Sequence, residues 1–130
     1  MSEELNMGEA RAQYAVSLSV RNAVFQAINS EAPDLARELG FSGGVDEHGD
    51  YKGPWGYNYK TLPELMIKLR EAAEHPDATR RRVAIQATGE AAACAQVLAA
   101  EAETFLIDQL SHQDGVSRLA AVRALGRIAS

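Results

Sequence analysis

The sequence predicts an all-α protein in which helical hairpins stack as a short solenoid and N-terminal helices form a cap. Three observations predict this fold. Apolar residues recur at helical spacing over most of the 130 residues, and the one glycine-rich segment is residues 41–60. Two segments near the end of the sequence repeat one another, 37 residues apart. A chain of this length is large enough to bury a core, so we expect a single domain over residues 1–130.

Residues 8–30 predict a helix that is apolar around much of its circumference. Its predicted core face carries Val16, Val20, Ala23 and Ala27, with Leu18, Phe25 and Ile28 beside it. A second short helix should follow. The pattern there predicts Ser30 as the N-cap, Asp34 in the first turn and Gly40 as the stop, which ends an N-terminal unit of residues 1–40.

Residues 41–60 break this helical pattern, because five glycines and a proline exclude a regular helix. The segment holds the one tryptophan and three of the four tyrosines. Large aromatic side chains beside lysines are typical of interface hot spots and of base-stacking platforms. We therefore predict a partner-binding loop; the alternative is a loop that only covers one end of the core. Its predicted contact residues are Tyr51, Lys52, Trp55, Tyr57 and Tyr59.

The same segment contains a cluster of acidic residues and one histidine, "VDEHGD" at residues 45–50. A calcium loop of the EF-hand type needs a glutamate twelve positions into the loop, where this chain has Tyr57. A zinc site needs further histidine or cysteine ligands. We expect no metal or cofactor. We also find no nucleophile elbow, catalytic triad order or phosphate-binding loop, and so expect no enzymatic activity.

From residue 61 the helical pattern returns. Thr61 and Glu64 have the spacing of a capping box, and the predicted helix 62–74 has its core at Leu65, Met66 and Leu69, with Leu62 at its start. Hairpins would follow as 62–74 with 78–92 and 95–110 with 115–129. Because residues 90–110 contain no strong helix breaker, one continuous helix over 78–110 in a simple bundle is the alternative.

The repeat aligns residues 74–93 with 111–130 without a gap. Its informative identities are His75/His112, Asp77/Asp114, Arg81/Arg118 and Gly89/Gly126, joined by alanine matches and by Ile85/Val122. The aspartates are expected to cap the helices that follow them, and the histidines to hold the turns before those helices. Small residues at 84, 87, 121 and 124 would let neighbouring helices approach closely.

The segments "DATRRRVAIQATG" and "DGVSRLAAVRALG" resemble the second helix of HEAT repeats, including the short repeats of phycobilisome-lyase-type proteins. That helix typically opens with aspartate, then a valine–arginine pair, then an alanine-rich run ending in Leu-Gly. Here Ser117 separates Val116 from Arg118, and Thr88 stands in the place of the leucine. The resemblance covers about residues 62–130 and implies a scaffold of two repeats over residues 61–130, with no catalytic residue.

Six arginines of the repeats could form a stripe along the paired second helices, which line the concave face in HEAT-like proteins. The stripe comprises Arg80, Arg81, Arg82, Arg118, Arg123 and Arg127. It predicts either an anionic partner or pairing with the chain's own carboxylates at Glu74, Asp77, Glu90 or Asp114. The net charge of −5 argues against a general binder of polyanions.

The single cysteine, Cys94, cannot form an internal disulfide, and its alanine-rich surroundings predict a small buried residue in a helix interior. No apolar run is long enough to cross a bilayer and the first residues do not form a secretory signal, so we expect a cytoplasmic protein.

The functional expectation is a non-enzymatic protein-interaction or scaffold module that associates with itself, for example as a homodimer, or with a larger complex. The apolar last helix supports this, because it needs cover from the N-terminal helices, a second copy or a partner. The alternative is a small nucleic-acid-associated subunit that uses the arginine stripe and the stacking aromatics.

Overall fold

The computed structural model describes residues 7–39, 41 and 62–129. Every regular element in these ranges is helical, which confirms the all-α prediction for them. The α-helices there are α1 (Met7–Ile28), α2 (Pro33–Glu38), α3 (Leu62–Ala72), α4 (Ala78–Cys94), α5 (Ala99–Gln109) and α6 (Gly115–Ala129), with one 3₁₀ turn at Gln96–Leu98. None of these helices has the length and hydropathy needed to cross a membrane.

Helix α4 is the centre of the fold, because it packs mainly on α6 and α1 and also contacts α3 and α5. Its buried side chains lie around most of its circumference, as expected for a helix enclosed by neighbours. They are Val83, Ala84, Ile85, Ala87, Thr88, Ala91 and Ala92, together with Gly89. Helix α5 packs on α6, and the two hairpins α3–α4 and α5–α6 meet chiefly through their second helices.

The alternative prediction of one continuous helix over residues 78–110 is wrong. Helix α4 ends at Cys94, and Ala95 has an extended backbone conformation with φ −141° and ψ 106°. Helix α4 therefore ends two residues beyond the bound of 92 that the hairpin prediction gave, and the turn follows it. Ala95 and Leu98 are both buried, so the break directs apolar side chains of the turn into the core.

The prediction that Cys94 is buried is also wrong, since this cysteine is exposed. The residue is the last of α4, where the helix leaves the core and the chain turns. An alanine-rich environment in the sequence did not reveal where the helix ends.

The N-terminal helices differ from the prediction in two details. Val16 is 40% exposed, and the buried residues in the part of α1 from residue 16 to 28 are Val20, Val24, Phe25 and Ile28. Helix α2 has Ala32 at the N-cap position without a side-chain hydrogen bond, so the Ser30 cap is wrong. Pro33 begins that helix, and its ring fixes a backbone angle suited to the first turn. The proposed stop at Gly40 and cap at Thr61 lie outside the described residues.

The apolar face predicted for residues 62–74 is confirmed, with Leu65, Met66 and Leu69 buried and Leu62 packed against the core. Helix α6 has the bounds predicted from the sequence, 115–129. It packs on α4 and α5, and α4 lies between it and α1.

Candidate functional site

The repeated His, Asp and Arg residues build the turn between α3 and α4. The His75 Nδ1 atom accepts a hydrogen bond from the Asp77 backbone N–H at 2.9 Å. The Asp77 carboxylate caps α4 by accepting from the Arg80 N–H at 2.9 Å. The Arg81 guanidinium then reaches back and donates to the carbonyl oxygens of His75 and Pro76 at 2.9 and 2.7 Å. The backbone of the turn is thus stabilised at its N–H groups by His75 and Asp77 and at its carbonyl groups by Arg81.

The turn before α6 repeats this arrangement 37 residues later. The His112 Nδ1 atom accepts from the Asp114 N–H at 3.0 Å, and Asp114 accepts from the Val116 N–H at 3.0 Å. The Arg118 guanidinium donates to the carbonyls of His112 and Gln113 at 2.7 and 3.0 Å. The predicted turn-holding role of the histidines and the capping role of the aspartates are both confirmed.

One ion pair joins the two turns. Arg81 donates to the Asp114 carboxylate at 3.0 Å, so the arginine of the first turn reaches the aspartate of the second. The buried hydroxyl of Ser117 donates to the same carboxylate at 3.1 Å. The hydrogen bond from Arg81, followed by the one from the Val116 N–H, lowers the pKa of Asp114 from its ordinary range. Asp114 therefore fixes its own helix and also the stacking of α6 on α4.

Helices α4 and α6 approach one another closely at Gly89. A Cβ atom at this position would lie 2.6 Å from the Ala124 Cβ and 2.8 Å from the Ala124 Cα. Both distances are well below van der Waals contact, so only glycine fits there at this helix separation. The sequence marked Gly89 as a repeat identity, and the structure supplies its physical reason.

The predicted arginine stripe is largely paired with carboxylates of the chain itself. Arg80 pairs with Glu38, Arg82 with Glu31 at 2.6 Å, and Arg127 with Glu90 at 3.2 Å. The hydrogen bond and the charge of Arg82 lower the pKa of Glu31. The sequence predicted Asp114 and Glu90 as partners. It did not predict Glu31, in the connection between α1 and α2, or Glu38, at the end of α2.

Arg123 differs from the other arginines of the stripe, because within residues 16–39 and 62–129 this exposed side chain pairs with no carboxylate and, unlike Arg118, does not donate to the carbonyls of a turn. It lies in a groove between α4 and α6 with a volume of about 270 Å³. The groove has arginine ends and an apolar wall at Val116 and Leu119, whose side chains are 48% and 49% exposed. Its lining residues are Arg82, Gln86, Glu90, Val116, Leu119, Ala120, Arg123, Ala124 and Arg127.

The remaining residues of the predicted site fall into two groups. Tyr51, Lys52, Trp55, Tyr57 and Tyr59 lie outside the described residues, as does the acidic cluster at 45–50. Arg80, Arg81 and Arg118 are held by Glu38, Asp114 and backbone carbonyls at the turns. Sequence reasoning did not single out Val116 and Leu119, although it noted that the last helix is unusually apolar.

Within the ranges that the structure covers, no group of three or more His, Cys, Asp or Glu side chains is arranged to hold a metal ion. The Nδ1 atoms of the histidines in the two turns accept hydrogen bonds from backbone N–H groups. The α4–α6 groove offers an apolar wall and guanidinium groups to a ligand.

Comparison with known proteins adds no relative, since no family model, curated protein or solved structure matches the chain.

Proposed function

We propose that this protein is a non-enzymatic interaction module whose α4–α6 groove binds a segment of another protein. The observation that carries the proposal is the position of Arg123, a guanidinium without a carboxylate partner in the described part of the chain, beside exposed Val116 and Leu119. A partner segment with a large apolar side chain next to an aspartate or glutamate complements this surface. It would cover the apolar wall and pair with the free guanidinium.

The HEAT-like resemblance supports the same proposal. In such a scaffold the second helices of successive repeats line the binding face, and α4 and α6 are the corresponding helices here. The repeated turns are also built alike, with the same His, Asp and Arg roles in each. A HEAT-like solenoid of two repeats, capped by α1 and α2, is the fold that we propose for the chain.

Nucleic acid is the less favoured partner for the groove. A stripe that binds nucleic acid needs arginines that are free to neutralise phosphate charges, which releases the counterions of the nucleic acid. Four of the six arginines are neutralised by Glu31, Glu38, Glu90 and Asp114, and Arg118 donates to the carbonyls of its own turn. That leaves Arg123 as the principal site for an outside anion.

The proposal is tested by selecting a random-peptide display library on the full chain. We expect enriched peptides to share an apolar residue beside Asp or Glu, and to lose binding to Leu119→Asp and Arg123→Glu. Ile107→Asp is the matched control, because Ile107 is similarly exposed at 57% but lies on α5. The proposal fails if no peptide is enriched or if Ile107→Asp weakens binding as much as Leu119→Asp.

Two further measurements separate the alternatives. Salt-dependent binding of a single-stranded oligonucleotide that Arg123→Glu abolishes would transfer the groove to the nucleic-acid function. Light scattering should give a mass of 14.0 kDa at low and high salt, because α6 carries three arginines and no acidic residue. A stable dimer would instead make self-association the function.

A further inference from the structure

The 37-residue repeat gives each position of α6 an equivalent on α4. On α4, Arg81, Ile85 and Gly89 follow one another at intervals of four residues and so lie on one face. Helix α6 covers this face: Arg81 bonds to Asp114, Gly89 meets Ala124, and Ile85 is fully buried. We call these residues the stacking face of α4.

The equivalent residues of α6 are Arg118, Val122 and Gly126, and they have the opposite environment. Val122 is 56% exposed, and a Cβ atom added at Gly126 would meet nothing within 4 Å. Arg118 is exposed and holds its own turn as Arg81 does, but reaches no carboxylate among the described residues. Helix α6 thus presents on its outer side the stacking face that α4 buries.

Glycine inside a helix is less favourable for helix stability than alanine. It is needed, however, where another backbone approaches the helix closely. At Gly89 the approach of Ala124 is that reason. At Gly126 an added Cβ atom would meet nothing within 4 Å, although the residue lies on the equivalent face. The three features together, an apolar residue, a glycine and an arginine, match the recognition of a helix that packs closely.

The charge of α6 decides which helix this is. In a second copy, the aspartate that starts α6 is already bonded to Arg81 of its own α4, so that copy could offer only its outer face, which carries Arg118 and no carboxylate. A helix whose starting aspartate is free complements the face instead.

We propose that the outer face of α6 docks a helical hairpin of a partner protein. The second helix of that hairpin begins with an aspartate that accepts from Arg118 and carries a small residue opposite Gly126. This face is separate from the α4–α6 groove, so either proposal stands without the other.

The test extends the full chain by a copy of residues 94–130, joined after Ser130 so that the period of 37 residues continues. The copy carries Arg127→Glu. In the original chain, Glu90 of α4 pairs with Arg127 of α6. The same stacking would place Arg127 of the original α6 opposite the equivalent arginine of the copy, so the arginine of the copy is replaced by glutamate. Cys94→Ser in the copy avoids disulfide exchange. The added hairpin then has the properties proposed for the partner, an N-cap aspartate in its second helix and an alanine placed opposite Gly126.

We expect the extension to raise the midpoint of thermal unfolding by roughly 4–8 °C in one cooperative transition. Gly126→Ala should raise the midpoint of the original chain and lower that of the extended chain, a reversal of sign that only close packing at this site produces. The aspartate of the copy, changed as Asp114→Asn, should remove part of the gain. Ile107→Ala in the original helix α5 is the control and should shift both midpoints equally.

The proposal is overturned if the extended chain keeps the midpoint of the original one, whether its added segment stays unfolded, unfolds separately or aggregates. It is also overturned if Gly126→Ala acts with the same sign in both chains. Neither result depends on peptide binding to the groove, which Leu119→Asp and Arg123→Glu test by themselves.

Discussion

Helices α4 and α6 carry related sequences, yet one is the core of the molecule and the other is a surface. Each begins after a His–x–Asp turn, and an arginine near the start of the helix donates to a backbone carbonyl of that turn. Helix α4 has neighbours on both sides, whereas α6 packs chiefly on α4 and α5 among the described elements. The comparison teaches that the same local pattern can give a core helix or a surface helix, because the neighbouring elements decide whether its apolar side chains are covered.

The largest effect should come from shortening the apolar side chain of the stacking face. We expect Ile85→Ala to lower the free energy of unfolding by about 2–5 kcal/mol, because it leaves a cavity under α6. Val122→Ala, at the equivalent but exposed position, should change it by less than about 0.5 kcal/mol. Urea unfolding of both variants measures the contrast. Equal losses would mean that α6 is covered on its outer side in solution.

The two turn arginines should differ next. Arg81→Met removes two bonds to carbonyls and the ion pair with Asp114, and we expect a loss of about 1–3 kcal/mol. Arg118→Met removes only the carbonyl bonds of its own exposed turn, so about 1 kcal/mol or less is expected. Chemical unfolding again gives both numbers. A greater loss for Arg118→Met would show that the inter-turn ion pair contributes nothing.

The two glycines should respond in opposite directions. Gly89→Ala forces a Cβ into Ala124, and overpacking of this kind outweighs the gain in helix propensity, for a net loss of about 1–2 kcal/mol. Gly126→Ala meets open space and should stabilise the chain by about 0.5 kcal/mol. Thermal unfolding monitored by circular dichroism distinguishes these signs. Stabilisation by Gly89→Ala would contradict the helix separation seen here.

The smallest effect concerns pH and the ion pair that joins the turns. Because the pKa of Asp114 is lowered in the folded chain, its contribution to stability is present at neutral pH and is lost as the pH falls below about 4. Asp114→Asn should lower stability at pH 7 and make its decline in acid shallower. Asp108→Asn, at an exposed position of α5, is the control. An unchanged acid profile in Asp114→Asn would remove Asp114 from the pH response.

Much of the fold follows from local pattern. The bounds of α6, the buried face of α3 and the roles of His75, Asp77, His112 and Asp114 were all predictable, because periodicity, caps and turns act over a few residues. The candidate groove was predictable only in part. Arg123 and Arg127 were named as members of the arginine stripe, but only Arg127 pairs with Glu90, which lies 37 residues away on another helix.

The sequence by itself determined that the described part of this chain is helical, where its repeated turns lie and which histidines and aspartates hold them. Tertiary structure alone decided that α4 stops at Cys94, in a run of good helix formers, since burial of Ala95 and Leu98 requires a turn there. It also decided that Glu31 and Glu38 neutralise Arg82 and Arg80. The physical reason is range: helix propensity and capping are set by neighbours along the chain, whereas burial and ion pairing depend on residues brought together only by packing.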